Sequence, residues 1–156
     1  MLRRGLAAVV LIGVALGAAR AEDYPAEVSA AIADAKKYCE DEGGKFSSTA
    51  AAVRKVDMNG DGRDDYLIRM QEVTCDGADG GLCGTGGCET MILVALRSGK
   101  FVTVFDMPVL SIELLPAKRS VRMQLHGGYC GQSGGGSHCM KTHRITTRPF
   151  EYKMPE

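Results

Sequence analysis

Nine consecutive residues carry the densest chemistry of the chain: Asp57-Met58-Asn59-Gly60-Asp61-Gly62-Arg63-Asp64-Asp65. Oxygen-bearing side chains stand at loop positions 1, 3, 5 and 9, as Asp57, Asn59, Asp61 and Asp65. Gly62 occupies position 6, where the chain must turn sharply, and Arg63 at position 7 offers its backbone carbonyl. A hard cation such as Ca2+ takes about six to eight oxygens at about 2.3–2.6 Å, and this alternation wraps one short loop around one ion. The match ends there. Position 12 is Ile68, so the bidentate Glu of a complete EF-hand is missing. The exit Tyr66-Leu67-Ile68 is apolar and partly β-branched, hence strand-like. The competing reading is a tight turn whose acids are solvated and whose Asx side chains cap the backbone. Four oxygen residues at alternating positions exceed what a turn needs. Calcium is therefore expected here, bracing the fold and doing no chemistry.

The same residues resemble the DxNGDGxxD calcium loops of β-propeller repeats of the FG-GAP and VCBS type. A wider resemblance rests on Cys39-x-x-Glu42-Gly43-Gly44, on Val56 to Tyr66, on Cys83-Gly84-Thr85-Gly86-Gly87-Cys88 and on Leu125-His126-Gly127-x-x-Cys130-Gly131. That order is similar to a group of small secreted bacterial proteins. It implies an exported, all-β domain and carries no activity with it.

Two glycine-rich loops are the other places where chemistry could sit. Cys75 to Cys88 holds three cysteines beside Asp76 and Asp79. A disulfide-tied loop explains that composition in an oxidising compartment without zinc or copper. His126 to Cys139, with His143 beyond it, gathers three histidines and two cysteines, a set that could take a transition metal. Gly131-Gln132-Ser133-Gly134-Gly135 resembles the GDSGG stretch of chymotrypsin-like proteases. Gln132 replaces the acid of that stretch, and no carboxylate lies between His126 and Ser133. No nucleophile is coupled to a base at short range, so the chain reads as non-catalytic.

The elements that must position these loops follow from periodicity. Residues 1–21 read as a secretory signal: Arg3 and Arg4, an apolar run from Leu6 to Leu16, then Ala19-Arg20-Ala21. The run is too short to span a bilayer, so no stable membrane insertion is expected after cleavage. Residues 22–156 suit one domain with its own core. Six cysteines in an exported chain argue for three disulfides, and spacing favours Cys39–Cys75, Cys83–Cys88 and Cys130–Cys139 among 15 pairings. Val28, Ala31, Ile32, Ala35 and Cys39 recur at helical spacing, so Pro25 to Glu42 is the one helix, stopped by Gly43-Gly44. Beyond Thr49 seven short strands are expected: 51–56, 66–74, 89–96, 100–105, 109–115, 120–125 and 140–147. Ser98-Gly99 should close a two-residue hairpin, and Pro108 and Pro116 should mark strand ends. The fold class is mainly β with one N-terminal helix. The strand order suggests a disulfide-stapled antiparallel meander, either propeller-blade-like or a small sandwich.

Charge bears on partners. Loss of residues 1–21 removes three arginines and no acid, leaving 16 basic against 19 acidic side chains. The acids concentrate before residue 97. Lys118, Arg119, Arg122, Lys141 and Arg144 could present a basic face to a protein, an anionic glycan or a phosphate ligand. Nucleic acid is not expected. Two functional readings follow: a calcium-braced binding or accessory module of the periplasm or exterior, or an inhibitor that plugs a cell-wall or host hydrolase with the Cys130–Cys139 loop.

Overall fold

The computed structural model describes residues 24–78, 81–132 and 136–150. The expected signal segment and Ser133 lie outside them. Helix α1 spans Ala26–Asp41 and buries Val28, Ala31, Ala35 and Cys39 on one stripe. Lys36–Glu40 and Lys37–Asp41 pairs line its wet face. Gly43 ends the helix at positive φ, and Gly44 follows with its N–H on the Cys39 carbonyl at 2.8 Å. A Cβ at Gly44 would fall 2.6 Å from Cys75 Sγ. Only glycine leaves room for the Cys39–Cys75 bridge behind it.

Among the described residues ten strands follow the helix: β1 (Lys45–Ser48), β2 (Val53–Val56), β3 (Asp65–Arg69), β4 (Val73–Asp76), β5 (Cys83–Gly84), β6 (Gly87–Ala95), β7 (Phe101–Val109), β8 (Ser111–Leu115), β9 (Ser120–His126) and β10 (His138–Arg144). All pair antiparallel. β6 is the axis of the larger sheet, with β7 along one edge and β3, then β2, on the other. β5 pairs with its first two residues. β10, β9 and β8 form the smaller sheet. β1 and β4 form a ribbon that the Cys39–Cys75 disulfide ties to α1.

The two larger sheets pack face to face. Leu67, Ile92, Val94 and Phe105 meet Val121, Met123 and Leu125 between them. The alternation in Val121 to Leu125 is what aims the last three inward. On the outer face of the larger sheet, Val28, Ala31 and Ala35 of α1 cover Tyr66, Ile68 and Leu93. Tyr66 also meets Tyr24 and Phe101 edge-on, at centroid distances of 6.3 and 5.4 Å. The result is three layers, helix on sheet on sheet. β3 and β6 lie in the middle layer, which is why Asp65 to Ile68 are all buried.

The architecture is therefore the small sandwich with one helix, and neither a propeller nor a closed barrel. All three expected disulfides are present. Several local expectations need correction. The β6–β7 hairpin has three loop residues, not two: Leu96 N–H reaches the Lys100 carbonyl at 2.8 Å, and Gly99 takes the left-handed position. Pro108 does not end a strand but sits inside β7 opposite Glu89. The expected strand 109–115 is broken at Leu110, where the chain leaves one sheet for the other and Leu110 N–H bonds the Gln124 carbonyl at 2.9 Å. The expected strand 66–74 is likewise interrupted, by a helical turn at Met70–Glu72. β1 was not expected. Its Lys45-Phe46-Ser47-Ser48 is short and mostly polar, and it pairs because the disulfide delivers β4 beside it.

Candidate functional sites

The Asp57–Asp65 loop joins β2 to β3 at the end of the larger sheet. Its acids are organised by backbone amides. Asp57 Oδ1 accepts from Gly60 and Asp61 N–H at 2.7 and 3.2 Å, and its Oδ2 from Gly62 N–H at 2.9 Å. These bonds, that of Gly62 first, hold the Asp57 carboxyl below its ordinary value. Asn59 Oδ1 accepts from Asp61 N–H at 2.9 Å, and Asp61 Oδ1 from Arg63 N–H at 3.0 Å. Asn59 Nδ2 also donates to Asp61 Oδ2 at 2.9 Å. Gly60 and Gly62 take the positive φ that this winding needs. Asp57, Asn59 and Asp61 are thus drawn into one small loop.

Asp65 behaves differently. It is fully buried, with Oδ2 on Met58 N–H and Oδ1 on Ala95 N–H, both at 2.9 Å. It pins the loop to β6. Burial pushes its carboxyl up, the two amides oppose this, and the charges of Asp61 and Asp57 push the same way as burial. Two cations border the loop: Arg63 pairs with Asp61, and the Arg119 side chain lies over Gly60, where any side chain would collide with it. The calcium expectation names Asp57, Asn59, Asp61 and the Arg63 carbonyl, and the three side chains already accept backbone N–H groups of the loop. Asp65 could join them only through lone pairs its two amides leave open. Among the described residues no three His, Cys, Asp or Glu side chains converge as a metal centre.

The three histidines do not come together. His126 and His138 are cross-strand partners, and His126 Nδ1 accepts from Gly128 N–H at 3.2 Å. His143 is on the opposite face of β10, stacked on Phe150 with centroids 4.7 Å apart. Burial, then the charge of Lys141, hold its imidazole below the usual value. The basic residues are divided as well. Arg122 is paired with Glu113. Lys141 lies opposite Met123 and Arg144 opposite Ser120, so they project from opposite faces of β10, while Arg119 bends over Gly60. Lys118 stays in the β8–β9 turn.

Sequence reasoning missed a fourth cluster. Glu89 on β6 and Asp106 on β7 share one sheet face, two residues from direct register, and their carboxyls are hydrogen-bonded. Burial first, then that bond and the Asp106 charge, hold Glu89 up to about 7. The available signal was a single acid inside each of two apolar strands, Cys88-Glu89-Thr90-Met91 and Val104-Phe105-Asp106-Met107. Their alignment depends on hairpin register and on a bulge at Ile92/Leu93, which no spacing rule supplies.

In comparison with known proteins, no family model matches the chain, and no curated protein or solved structure matches it. The chemistry of these sites has to be argued from their residues alone.

Two predictions follow from the Asp65 and Glu89 carboxyls. Asp65→Ala leaves the Met58 and Ala95 amides unpaired, at about 1–3 kcal/mol each, so denaturant unfolding should give a loss of about 2–6 kcal/mol. Asp64→Ala, which removes only the exposed pair with Lys55, should cost under about 1 kcal/mol. For Glu89, the folded-state value lies above the ordinary 4.5, so its contribution is complete below 4.5 and lost as pH rises through about 7. In Glu89→Gln that loss disappears. Thermal melts across this window should show the variant gaining on the wild type as pH rises, and parallel curves would refute the assignment.

Proposed function

We propose that the chain is an exported, non-catalytic binding module of the periplasm or cell exterior, stapled by disulfides and braced by calcium at the Asp57–Asp65 loop. Three disulfides point to an oxidising compartment. Among the described residues no helix is long and apolar enough to cross a membrane. The observation that carries the calcium reading is the winding of the loop about Asp57, which takes three backbone amides, with the Asn59 and Asp61 side chains bonded to each other in the same loop. The charges of Asp61 and Asp57 raise Asp65, a repulsion that a divalent cation bound at the loop would relieve. Calcium would take Asp57, Asn59, Asp61 and the Arg63 carbonyl, and would compete with Arg63 for Asp61. In this reading Asp65 transmits the bracing to β6.

The test is a melt of the oxidised protein with calcium and with chelator. Binding only to the folded state should add about 2.7 kcal/mol at a hundredfold excess over the dissociation constant. The rise should vanish in Asp57→Asn and persist in Asp64→Asn. No calcium-dependent rise in the wild type, or an equal rise in Asp57→Asn, would reduce the stretch to a turn.

A further inference from the structure

The opposite end of β6 borders an open cleft of about 760 Å³, within the size range of small-molecule sites. Its wall is the β5–β6 hairpin, cross-linked by Cys83–Cys88. Gly87 lies at positive φ so close to Val109 that no side chain fits between them. The hairpin is thus pressed on β7, and its glycines leave the space beyond unfilled. Glu89 stands at the base of this wall. Tyr38 from the end of α1 and Tyr129 from the turn after β9 face the same space, Tyr38 with 44% of its surface exposed. His126 completes the lining. Because its Nδ1 accepts from Gly128 N–H, neutral His126 carries its proton on Nε2 and can donate from there. Among the described residues no lysine or arginine lines the cleft.

We propose that this cleft binds a small organic ammonium ligand, its charged nitrogen taken by Glu89, which Asp106 neighbours on the same sheet face, and its carbon skeleton covered by tyrosine. An anion would meet a carboxyl wall with no balancing cation. A neutral ligand would leave the pair unchanged. An ammonium supplies several N–H donors and a full charge to the half-buried Glu89 carboxyl, where such pairing is stronger than in water. The tyrosine rings suit methylenes beside a cation, and His126 Nε2–H suits an oxygen further along the ligand. Binding releases the proton that the Glu89 carboxyl holds, so one positive charge replaces another. Tyr38, Tyr129 and His126 line the cleft with Glu89, and none supplies a fixed positive charge. The inference is independent of calcium binding.

The experiment is a two-dimensional amide NMR titration of the oxidised protein with aminopentanol, matched by pentanediol, which replaces the ammonium with a hydroxyl. An alkylamine keeps its charge up to about pH 10, so pH acts on the protein. Aminopentanol at millimolar concentration should move the amides of Gly84 to Glu89 and of His126 to Tyr129, and pentanediol should not. Apparent affinity should fall about tenfold one pH unit below the titration of Glu89 at about 7. Glu89→Gln should weaken binding about tenfold or more. Tyr38→Ala, at the exposed rim, should weaken it without altering the fold, and it decides the matter if Glu89→Gln does not fold. Equal shifts with pentanediol, shifts spread over acids elsewhere, no shift at all, or full binding by a folded Glu89→Gln would each overturn the proposal.

Discussion

A carboxylate buried at the edge of the central sheet governs this structure. Asp65 has no exposed surface, yet it accepts from Met58 N–H in the loop and from Ala95 N–H at the end of β6. Those two bonds compensate the cost of placing a carboxyl in the core and fix where the loop ends and β3 begins. β3 then has to be apolar on both faces, since α1 covers one and the smaller sheet the other. The Cys39–Cys75 bridge makes the outer cover permanent by holding the end of α1 to β4. The loop, the two-sided strand and the stapled helix are one connected solution to burying the middle layer.

The middle layer also separates the two candidate sites. The acidic loop reaches Ala95 at one end of β6, and the cleft begins at Gly87 and Glu89 at the other. Six residues of extended strand put them roughly 20 Å apart. The hairpin and turn that form the cleft are each cross-linked, by Cys83–Cys88 and Cys130–Cys139. Gly127 is held beneath Ser137, with its N–H on the Ser137 carbonyl at 2.7 Å. A cleft walled by such constrained segments loses little freedom on binding, the condition under which modest contacts yield useful affinity.

Much of the frame was legible because its signals are local. The stripe Val28, Ala31, Ala35, Cys39 announces α1, the alternation Val121 to Leu125 announces β9, and cysteine spacing announces the bridges. The acidic loop was legible for the same reason. What could not be read depends on pairing across the sheet. A spacing rule treats Asp65 as a ninth-position oxygen like the others, but burial turns it toward Met58 and Ala95. The basic residues after 118 look like one patch in sequence, yet strand alternation sends Lys141 and Arg144 to opposite faces, and Glu113 occupies Arg122. Glu89 and Asp106 meet only because β6 and β7 align them.

The central claim, that Asp57 to Asp65 is a cation-braced loop anchored to β6, is tested most directly by a crystal structure of the oxidised protein grown in calcium. The account predicts a calcium ion held by Asp57, Asn59, Asp61 and the Arg63 carbonyl, with the Arg63 side chain moved off Asp61 and Asp65 still bonded to Met58 and Ala95. A loop without an ion at saturating calcium, with Arg63 still on Asp61, would contradict it.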